Sequence, residues 1–328
     1  MSPHAPAPTD RALTHQPPTD RAPTTPLRHA PGRQTATKVD VTVAVVSYRS
    51  LGLLLDSAQT WAAAAPGLNV EWRILENGTG DSVAQALHDA QPALARHAVC
   101  HELEHSVSFA RANNIALRGF RGRHVVLLNP DTLLRPGSLT ELVAFLDDHP
   151  DVAVVGPRVW DDPACTSIQR SWRRFPGLTT AIANRQSLLA RLWPKNPWTR
   201  DYLNLDRSPD VTQDTDWVSG CCLAVRGDVF RALGGLDAGY PMFCEDVDLC
   251  RGAHRRGWRV VYHPRAEIVH LVGGSRRRAP LRAEWQRHRS MTRYVLKYDR
   301  PWNPLSWTLI AGIWMRFATR TLLRCQTS

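Results

Sequence analysis

Blocks of apolar residues alternate with amphipathic segments along the centre of the chain, and this order predicts strands that alternate with helices. Val41–Tyr48 is a β-branched run typical of a strand buried on both faces, and Leu51–Ala65 has a helical pattern. Val70–Leu75 repeats the strand pattern, and Ser82–His97 repeats the helical one. Such alternation predicts an α/β fold in which helices connect the strands of a mainly parallel central sheet.

The pattern continues with a helix at Ser108–Arg118 and a strand at His124–Leu128, and the second half of the chain is less regular. There we predict strands at Val152–Val155, Trp217–Val225, Arg259–Tyr262 and Glu267–His270, and helices at Arg226–Leu233 and Glu245–Arg256. Because no linker-like segment interrupts residues 39–272, we expect one domain over this range, followed by a basic helical tail at 273–328.

The beginning of the chain has a different composition. Residues 1–38 contain eight of the 24 prolines and no Val, Ile, Phe, Tyr or Trp. Such a segment cannot bury enough surface to offset the entropy lost on ordering, so we expect a disordered, Pro-rich leader without the apolar stretch of a signal peptide. The seven cysteines show no CxxC spacing and no disulfide-like framework, which favours a cytoplasmic location.

The formal net charge of +11 is concentrated at the two ends of the chain. Residues 1–38 carry five basic and two acidic side chains, and residues 265–328 carry thirteen basic and three acidic ones, which leaves the body between them slightly acidic. A protein that binds nucleic acid through its folded body would spread basic residues over that body. The distribution therefore argues against a nucleic-acid partner.

Polar residues follow three predicted strands, at Ser47-Tyr48, Glu76–Asp81 and Asn129–Thr132, and ligands bind at the carboxyl ends of parallel strands. Asp131 is either an ordinary turn residue or the ligand of a metal-bound diphosphate. A single carboxylate suffices for the second role, because water and substrate phosphates complete the coordination of Mg²⁺. The chain has no phosphate-binding Gly-Lys-Ser/Thr loop and no dinucleotide glycine fingerprint.

Two further positions could carry chemistry. Glu245, Asp246 and Asp248 stand among apolar neighbours, and they are either acidic residues at a helix amino terminus or partly desolvated carboxylates. Desolvation would raise their pKa toward the value that a general base needs near neutral pH. His270 ends an apolar strand shortly before Arg276–Arg278, and it is either structural or a metal ligand beside a phosphate-binding loop.

The tail contains a stretch of fifteen uncharged residues between Arg300 and Arg316, which is shorter than the about twenty residues that span a bilayer. If residues 305–324 are helical, they form an apolar stripe and a basic ridge, made of Ile310, Ile313, Trp314 and Phe317 and of Arg316, Arg320 and Arg324. This pattern fits a helix on an anionic membrane surface, which would make the protein peripheral on the inner face of the cell membrane. It fits equally a helix packed on the domain or on a second subunit.

Seven motifs occur in an order and spacing that resemble the family-2 inverting glycosyltransferases of the GT-A fold, especially the branch of rhamnosyl- and galactofuranosyltransferases. They are Val46-Ser47-Tyr48, Phe109–Asn114, Leu127–Thr132, Trp217–Gly220, Gly234–Asp237, Glu245–Leu249 and Ile268–His270. The resemblance extends from about Val41 to Asp299. It implies transfer of a sugar, with rhamnose favoured, from a nucleoside-diphosphate sugar to a hydroxyl of a glycan or polyprenyl-linked acceptor in cell-wall or polysaccharide biosynthesis, with a divalent cation (Mg²⁺ or Mn²⁺).

The resemblance also implies roles for individual residues. Asp246, with Glu245 beside it, matches the general base, and Asp131 and His270 match metal ligands. The positions implied in nucleotide and donor binding are Ser47, Tyr48, Glu76, Asn77, Phe109, Arg111, Asn113, Asn114, Asn129, Trp217 and Gly220. Glu76 stands where the family usually has Asp, and Asn129 stands at the first acidic position of the metal motif.

Two other functions remain as alternatives at this stage. A nucleotidyltransferase acting on sugar phosphates could use a similar sheet, but it would have no use for the carboxylates of Glu245 and Asp246. A basic nucleic-acid-binding protein is opposed by the slightly acidic body of the chain.

Overall fold

The computed structural model of the protein describes residues 38–177, 193, 196–271, 280–299 and 302–325. Apart from Lys38, the predicted leader lies outside the described residues. Arg276–Arg278 and the predicted boundary between 272 and 273 also lie outside them.

The first half of the described chain alternates strands and helices, as its sequence pattern predicts. Its elements are β1 (Val41–Ser47), α1 (Leu51–Ala64), β2 (Val70–Glu76), α2 (Val83–Ala90), α3 (Pro92–Ala95), β3 (Ala98–Glu102), α4 (Phe109–Ala116), β4 (His124–Leu128), β5 (Thr132–Leu134) and α5 (Ser138–Asp148). The prediction of one helix at Ser82–His97 is wrong, because Pro92 cannot continue the hydrogen bonding of α2 and starts α3 instead. Strand β3 escapes prediction because its residues are half-buried or exposed and of mixed polarity.

The second half contains more short strands than its sequence predicts. Its elements are β6 (Val152–Trp160), β7 (Ile168–Gln169), β8 (Trp172–Arg173), α6 (Pro197–Tyr202), β9 (Gln213–Asp214), β10 (Trp217–Val218), β11 (Cys222–Arg226), α7 (Gly227–Leu233), α8 (Glu245–His254), β12 (Arg259–His270), α9 (Pro280–Tyr298) and α10 (Pro304–Cys325). The single strand predicted at Trp217–Val225 is two strands, because β10 pairs with β8 and β11 enters the main sheet. The two strands predicted between Arg259 and His270 form the one strand β12, whose register shifts between His263 and Glu267.

Ten strands form one sheet with the main path β3-β2-β1-β4-β11-β6-β12-β5. The strands β1 to β4 pair in parallel, β6 and β12 pair in parallel, and β11 runs antiparallel to both of its neighbours. The carboxyl ends of β1, β2, β4 and β12 therefore lie at the same edge of the sheet. The predicted α/β architecture, with a mainly parallel sheet, flanking helices and C-terminal helices, is confirmed.

Both faces of the sheet are covered by apolar side chains. On one face Trp61 of α1 stacks on Trp72 of β2 with 4.1 Å between ring centroids, and on the other Trp172 stacks on Tyr262 at 3.8 Å. Every residue of β1 is buried, and alternate residues of this strand enter the two cores. The uninterrupted apolar run of β1 is therefore the consequence of burial on both faces.

The helices α9 and α10 pack on each other. Trp314 of α10 donates its indole N–H to Thr292 Oγ1 at 3.1 Å, and its ring contacts Trp285 at 4.8 Å between centroids. Ile313 is only 5% exposed, so much of the predicted apolar stripe faces α9. Other apolar side chains of this region are exposed, namely Trp302, Leu305, Trp307 and Met315. Among the described residues, no helix is both long and apolar enough to cross a membrane.

Helix α9 is fastened to the body of the protein through α8. The buried Asp248 carboxylate accepts hydrogen bonds from Tyr240 at 2.9 Å, from Tyr298 at 2.8 Å and from Lys297 at 2.8 Å. Arg293 pairs with Asp237 at 2.8 Å. These contacts fix α9 beside the amino-terminal turns of α8.

Candidate active site

The carboxyl ends of β1, β4 and β12 open into a cleft of about 1790 Å³, which extends past the start of α8 to α9 and α10. Ten of the fifteen residues implied by the family resemblance line this cleft: Tyr48, Asn77, Phe109, Asn129, Asp131, Trp217, Gly220, Glu245, Asp246 and His270. The tertiary structure thus brings together residues from both halves of the chain.

Two of the other five residues stand behind the cleft wall near β1 and β2. Ser47 is fully buried, and its hydroxyl lies 3.1 Å from that of Ser50. Glu76 is also buried, and its carboxylate accepts hydrogen bonds from the backbone N–H groups of Gly78 and Thr79 at 3.1 and 2.7 Å. Glu76 therefore stabilises the turn that supports Asn77, and its role in binding a nucleotide stays a prediction.

The remaining three residues belong to α4 and do not line the cleft. Asn113 is buried and donates to the carbonyl of Phe109 at 2.9 Å, within its own helix. Asn114 exchanges two hydrogen bonds with the backbone of Leu236, at 2.7 and 2.9 Å. Arg111 lies on the exposed face of the helix. The donor-binding roles of these three residues stay predictions.

One end of the cleft carries a carboxylate beside an imidazole. The Oδ1 atom of Asp131 lies 3.3 Å from Nε2 of His270, and Nδ2 of Asn129 lies 3.5 Å from the same nitrogen. On the other side of the ring, Nδ1 of His270 is 2.9 Å from Oε1 of Gln169. Because that carbonyl oxygen can only accept, Nδ1 carries a proton, and Nε2 is the ring nitrogen that faces Asp131.

This pair of side chains fits a shared, partly hydrated metal site. No group of three or more His, Cys, Asp or Glu side chains that could hold a metal converges among the described residues. One carboxylate oxygen and one imidazole nitrogen are nevertheless sufficient when substrate phosphates and water supply the other ligands of Mg²⁺ or Mn²⁺. The hydrogen bond from His270 to Gln169 is the outer contact that such imidazole ligands usually have.

The other acidic group of the cleft is held at the start of α8. Oδ2 of Asp246 accepts a hydrogen bond from the backbone N–H of Gly220 at 2.8 Å, and Oδ1 accepts one from the N–H of Val247 at 2.8 Å. The neighbouring Glu245 is more buried, and its Oε2 atom has no hydrogen-bond partner among the described residues. The two adjacent carboxylates therefore have very different environments.

These environments give the carboxyl groups of Glu245 and Asp246 different protonation states. Desolvation, reinforced by the charge of Asp246, raises the pKa of Glu245 to about 8, so Glu245 is protonated at neutral pH. Desolvation also raises the pKa of Asp246, but the N–H groups of Gly220 and Val247 and the charge of Arg173 oppose it. The negative charge of the pair is consequently carried by Asp246.

The two acidic sites are joined by two adjacent residues of the loop between β10 and β11. Gly220 donates to Asp246, and the carbonyl of Cys221 accepts the backbone N–H of Asn129 at 2.9 Å. Burial raises the pKa of the Cys221 thiol to about 12, and both Asp131 and Asp246 contribute to this increase. Cys221 therefore lies between the Asp131–His270 pair and the hydrogen-bonded carboxylate of Asp246.

The loop before α8 has a strained backbone. Phe243 and Cys244 have φ values of 69° and 68°, in the left-handed region that non-glycine residues rarely adopt. Ser290 of α9 donates to the carbonyl of Met242 at 2.7 Å, and the Arg287 guanidinium lies 4.7 Å from the centre of the Phe243 ring. Helix α9 thus supports the conformation that presents Glu245 and Asp246.

Two cleft residues were not identified from the sequence. Gln169 orients His270, and Arg173 lies 5.5 Å from the centre of the Trp217 ring and lowers the pKa of Asp246. Both come from the segment after β6, which is rich in Trp and Arg and has no regular periodicity. The clustering of Arg and Trp was the only signal in the sequence, and it does not indicate which side chains reach the cleft.

Comparison with known proteins gives both sequence relatives and structural neighbours. An N-acetylglucosaminyl-diphospho-decaprenol L-rhamnosyltransferase of Mycobacterium tuberculosis is 34% identical over 196 residues, which cover 58% of this chain and 62% of that protein. The rhamnosyltransferase WbbL of Escherichia coli is 27% identical over 173 residues, covering 50% and 61%. The matched regions thus span about three-fifths of the length of these relatives.

Solved structures with the same fold include two glycosyltransferases. The mannosyltransferase PcManGT of Pyrobaculum calidifontis, in complex with GDP-Man and Mn²⁺, superposes with a TM-score of 0.55 at 18% identity, covering 84% of this chain and 69% of that one. GalNAc-T7 with UDP, GalNAc and Mn²⁺ gives a TM-score of 0.54 at 12% identity, covering 72% and 44%. The expected GT-A fold is thereby confirmed.

The sequence profile described as glycosyltransferase like family 2 matches residues 39–296, which include the sheet, α8 and nearly all of α9. The motifs that carry the resemblance all fall within this range. The chain belongs to glycosyltransferase family 2.

Proposed function

We propose that this protein is an inverting glycosyltransferase that transfers rhamnose from a nucleoside-diphosphate sugar to a hydroxyl of a glycan or polyprenyl-linked acceptor. The observation that carries the proposal is one cleft that is lined both by the Asp131–His270 pair and by the hydrogen-bonded carboxylate of Asp246. Inverting transfer needs these two acidic sites, because one group deprotonates the acceptor while another neutralises the departing diphosphate. The names of the relatives support rhamnose and a polyprenyl carrier.

Asp246 is the general base of the proposed reaction. Its carboxylate is ionised, lines the cleft and has a pKa raised toward neutrality by burial. The N–H of Gly220 fixes the orientation of the carboxylate, which accepts the proton as the acceptor oxygen attacks the anomeric carbon. Glu245 is neutral at that pH and does not compete for the proton.

Asp131 and His270 would hold the divalent cation beside the leaving diphosphate. A bound Mg²⁺ or Mn²⁺ would neutralise the charge that develops on the nucleoside diphosphate. Gln169 keeps Nε2 of His270 available, and Asn129 lies beside the pair. Attack from the side of Asp246 and departure toward Asp131 lie on opposite sides of the sugar, which inverts its anomeric configuration.

Tyr48, Asn77 and Phe109 form the wall on which the nucleotide lies. All three line the cleft, and the side chain of Asn77 exchanges hydrogen bonds of 2.9 and 3.0 Å with the backbone of Val107. In this proposal Ser47 and Glu76 support that wall from the interior. The other three residues act through α4, whose first residue is Phe109: Arg111, Asn113 and Asn114. Trp217 shapes the donor-sugar pocket, and its ring N–H donates to the backbone carbonyl of Arg174 at 2.8 Å.

We further place the protein in the cytoplasm, peripheral on the inner face of the cell membrane. The exposed Trp302 and Trp307, close to the cleft mouth and within a basic tail, support this location. A polyprenyl-linked acceptor would require such contact with a membrane.

The proposal is tested with a panel of donors. The full chain is mixed with Mn²⁺ and deoxythymidine-diphospho-rhamnose, UDP-galactofuranose, GDP-mannose or UDP-N-acetylglucosamine, and the melting temperature is measured at increasing donor concentration. We expect the rhamnose donor to stabilise the protein most and to release nucleoside diphosphate when an acceptor-containing membrane extract is added. Asp131→Ala should lose the stabilisation, whereas Asp246→Asn should keep it and lose the turnover.

Each outcome bears on a separate part of the proposal. Stabilisation by another donor would overturn the choice of rhamnose and leave the reaction class standing. Absence of stabilisation by every donor, or full turnover by Asp246→Asn, would overturn the proposed reaction.

A further inference from the structure

Beyond Asp246 the cleft continues as an arm between the loop 241–244 and the helices α9 and α10. We call this the acceptor arm. Its floor is apolar, and its lining includes Met291, Val295, Leu305, Leu309 and Ile313. Leu309 and Ile313 are 7% and 5% exposed, whereas Leu305 is 50% exposed, so the apolar floor reaches from the interior to the surface.

The charges that line the acceptor arm are mostly positive. Arg282, Arg287 and Arg316 line it from α9 and α10, and the acidic Asp299, directly after α9, lines it as well. Arg287 also contacts Glu284, at 3.4 Å. The guanidinium of Arg287 lies 4.7 Å from the centre of the Phe243 ring, and Phe243 precedes Asp246 by only three residues. A cationic group therefore lies beside the loop that precedes Asp246.

We propose that the acceptor arm binds the diphosphate and the first isoprene units of a polyprenyl-diphosphate-linked sugar. The proposal rests on the proposed function, since the sugar hydroxyl of this acceptor must reach Asp246. Guanidinium groups match phosphate oxygens in a bidentate geometry, and Arg287 and Arg282 supply them. The apolar floor removes the hydrocarbon chain from water, and its exposed end at Leu305 lets a long chain leave toward a membrane.

Groups that match the parts of such an acceptor line the same cleft. Arg287 contacts the ring of Phe243, three residues before Asp246, and Leu305 is a half-exposed apolar side chain of the lining. The acceptor would present its sugar hydroxyl to Asp246, its diphosphate to Arg287 and its isoprene chain to the apolar floor. A soluble glycan would have no use for an apolar arm lined by arginines. A membrane phospholipid would lack a sugar to present to Asp246.

The test uses farnesyl diphosphate as the probe, with inorganic diphosphate and farnesol as partial probes. Binding to the full chain is measured by isothermal titration calorimetry in EDTA, so that no metal draws the diphosphate to Asp131 and His270. We expect farnesyl diphosphate to bind at least tenfold more tightly than either partial probe. Addition of deoxythymidine diphosphate should not displace it, because the nucleotide occupies the other end of the cleft.

Matched variants distinguish binding in the acceptor arm from nonspecific binding to any positive or apolar surface. Arg287→Gln and Leu305→Ser should each weaken the binding of farnesyl diphosphate by about tenfold. This is the loss expected for one charge-assisted contact or one apolar side chain. The controls are Arg289→Gln and Leu296→Ser, on the same helix α9, at exposed residues that line a separate small depression. They should leave the binding unchanged. If Arg287→Gln lowers the melting temperature, Arg282→Gln repeats the test at an exposed residue.

Three results would overturn the acceptor arm. They are equal binding of farnesyl diphosphate and inorganic diphosphate, displacement of the probe by deoxythymidine diphosphate, and equal losses in the test and control variants. The proposed function fails separately, when no sugar nucleotide stabilises the protein in Mn²⁺. Loss of lipid binding with intact donor binding would thus reject the acceptor arm alone.

Discussion

The backbone N–H of Gly220 donates a hydrogen bond of 2.8 Å to Oδ2 of Asp246. A Cβ atom added to Gly220 would lie 3.2 Å from Cβ of Asp246 and 3.4 Å from its Oδ2. With a Cβ at residue 220, the Asp246 side chain would have to shift by a few tenths of an ångström, and glycine avoids this shift. This contact fixes the proposed base relative to the loop that also carries Cys221.

Gly220→Ala should lower kcat by at least about tenfold, because small displacements of a reacting group reduce rates steeply. The added methyl group pushes the Asp246 carboxylate away from its hydrogen bond. The control is Gly52→Ala in α1, where a Cβ would meet nothing within 4 Å. That variant should keep its rate and gain up to about 1 kcal/mol of stability. An unchanged kcat in Gly220→Ala would contradict the positioning role of this contact.

Asp246→Asn should lower kcat far more than Glu245→Gln does. We expect Asp246→Asn to lower kcat by about 10²- to 10⁴-fold, since the amide cannot accept the acceptor proton. Glu245→Gln should lose less than about tenfold, because Glu245 is already neutral at pH 7. Steady-state kinetics of both variants with the same donor decides the assignment. A larger loss in Glu245→Gln would make Glu245 the base.

Glu245 should make the protein less stable as the pH rises. Its pKa is 4.5 in the reference state and about 8 in the folded protein, so the folded state holds one more proton than the unfolded state between these values. The free energy of unfolding therefore falls as the pH increases from about 4.5 to about 8. Urea titrations at pH 5 and pH 8 measure this slope, and Glu245→Gln should reduce it. An equal slope in both proteins would mean that Glu245 is ionised at pH 7.

Gln169→Ala should weaken the binding of Mn²⁺ by about tenfold to a hundredfold, the usual effect of removing an outer contact of a metal-binding imidazole. The hydrogen bond of 2.9 Å to Nδ1 otherwise keeps Nε2 of His270 free for the metal. Titration of the protein with Mn²⁺ in the presence of nucleoside diphosphate, followed by electron paramagnetic resonance, measures the affinity without any turnover. Gln85→Ala, on the exposed face of α2, is the control and should bind as tightly as the unaltered protein.

Tyr298→Phe should lower the free energy of unfolding by about 1.5 to 3 kcal/mol, the usual contribution of a hydrogen bond to a charged group. The Tyr298 hydroxyl donates to the buried Asp248 at 2.8 Å and connects α9 to α8. Urea denaturation of the full chain measures the change. An unchanged midpoint would show that Lys297 and Tyr240 are sufficient to satisfy Asp248.

Particular elements explain how far the sequence could predict this fold. Strand β1 was predictable, because burial on both faces leaves an uninterrupted apolar run. Strand β3 was not, because it lies at the edge of the sheet and its residues are only partly buried. The helical pattern at 305–324 was correct, but the pattern alone could not indicate that Ile313 and Trp314 face α9.

The candidate site, too, could be predicted only in part from the sequence. The order of short motifs around Asp131, Asp246 and His270 indicated the family, because each motif is local in the sequence. Whether Glu245 or Asp246 carries the charge depends on hydrogen bonds from Gly220 and Val247, and neither bond can be deduced from residue types.

The sequence by itself determined the α/β class and the family, and it indicated the two candidate acidic positions of the site. Only the tertiary structure decided that Asp131 meets His270, that Gln169 orients the imidazole and that α9 supports the loop before Asp246. The physical reason is that periodicity and local motifs record how deeply a residue is buried and what chemistry it carries. The partner that covers it comes from a distant segment, and it is selected by the packing of the whole sheet and its helices.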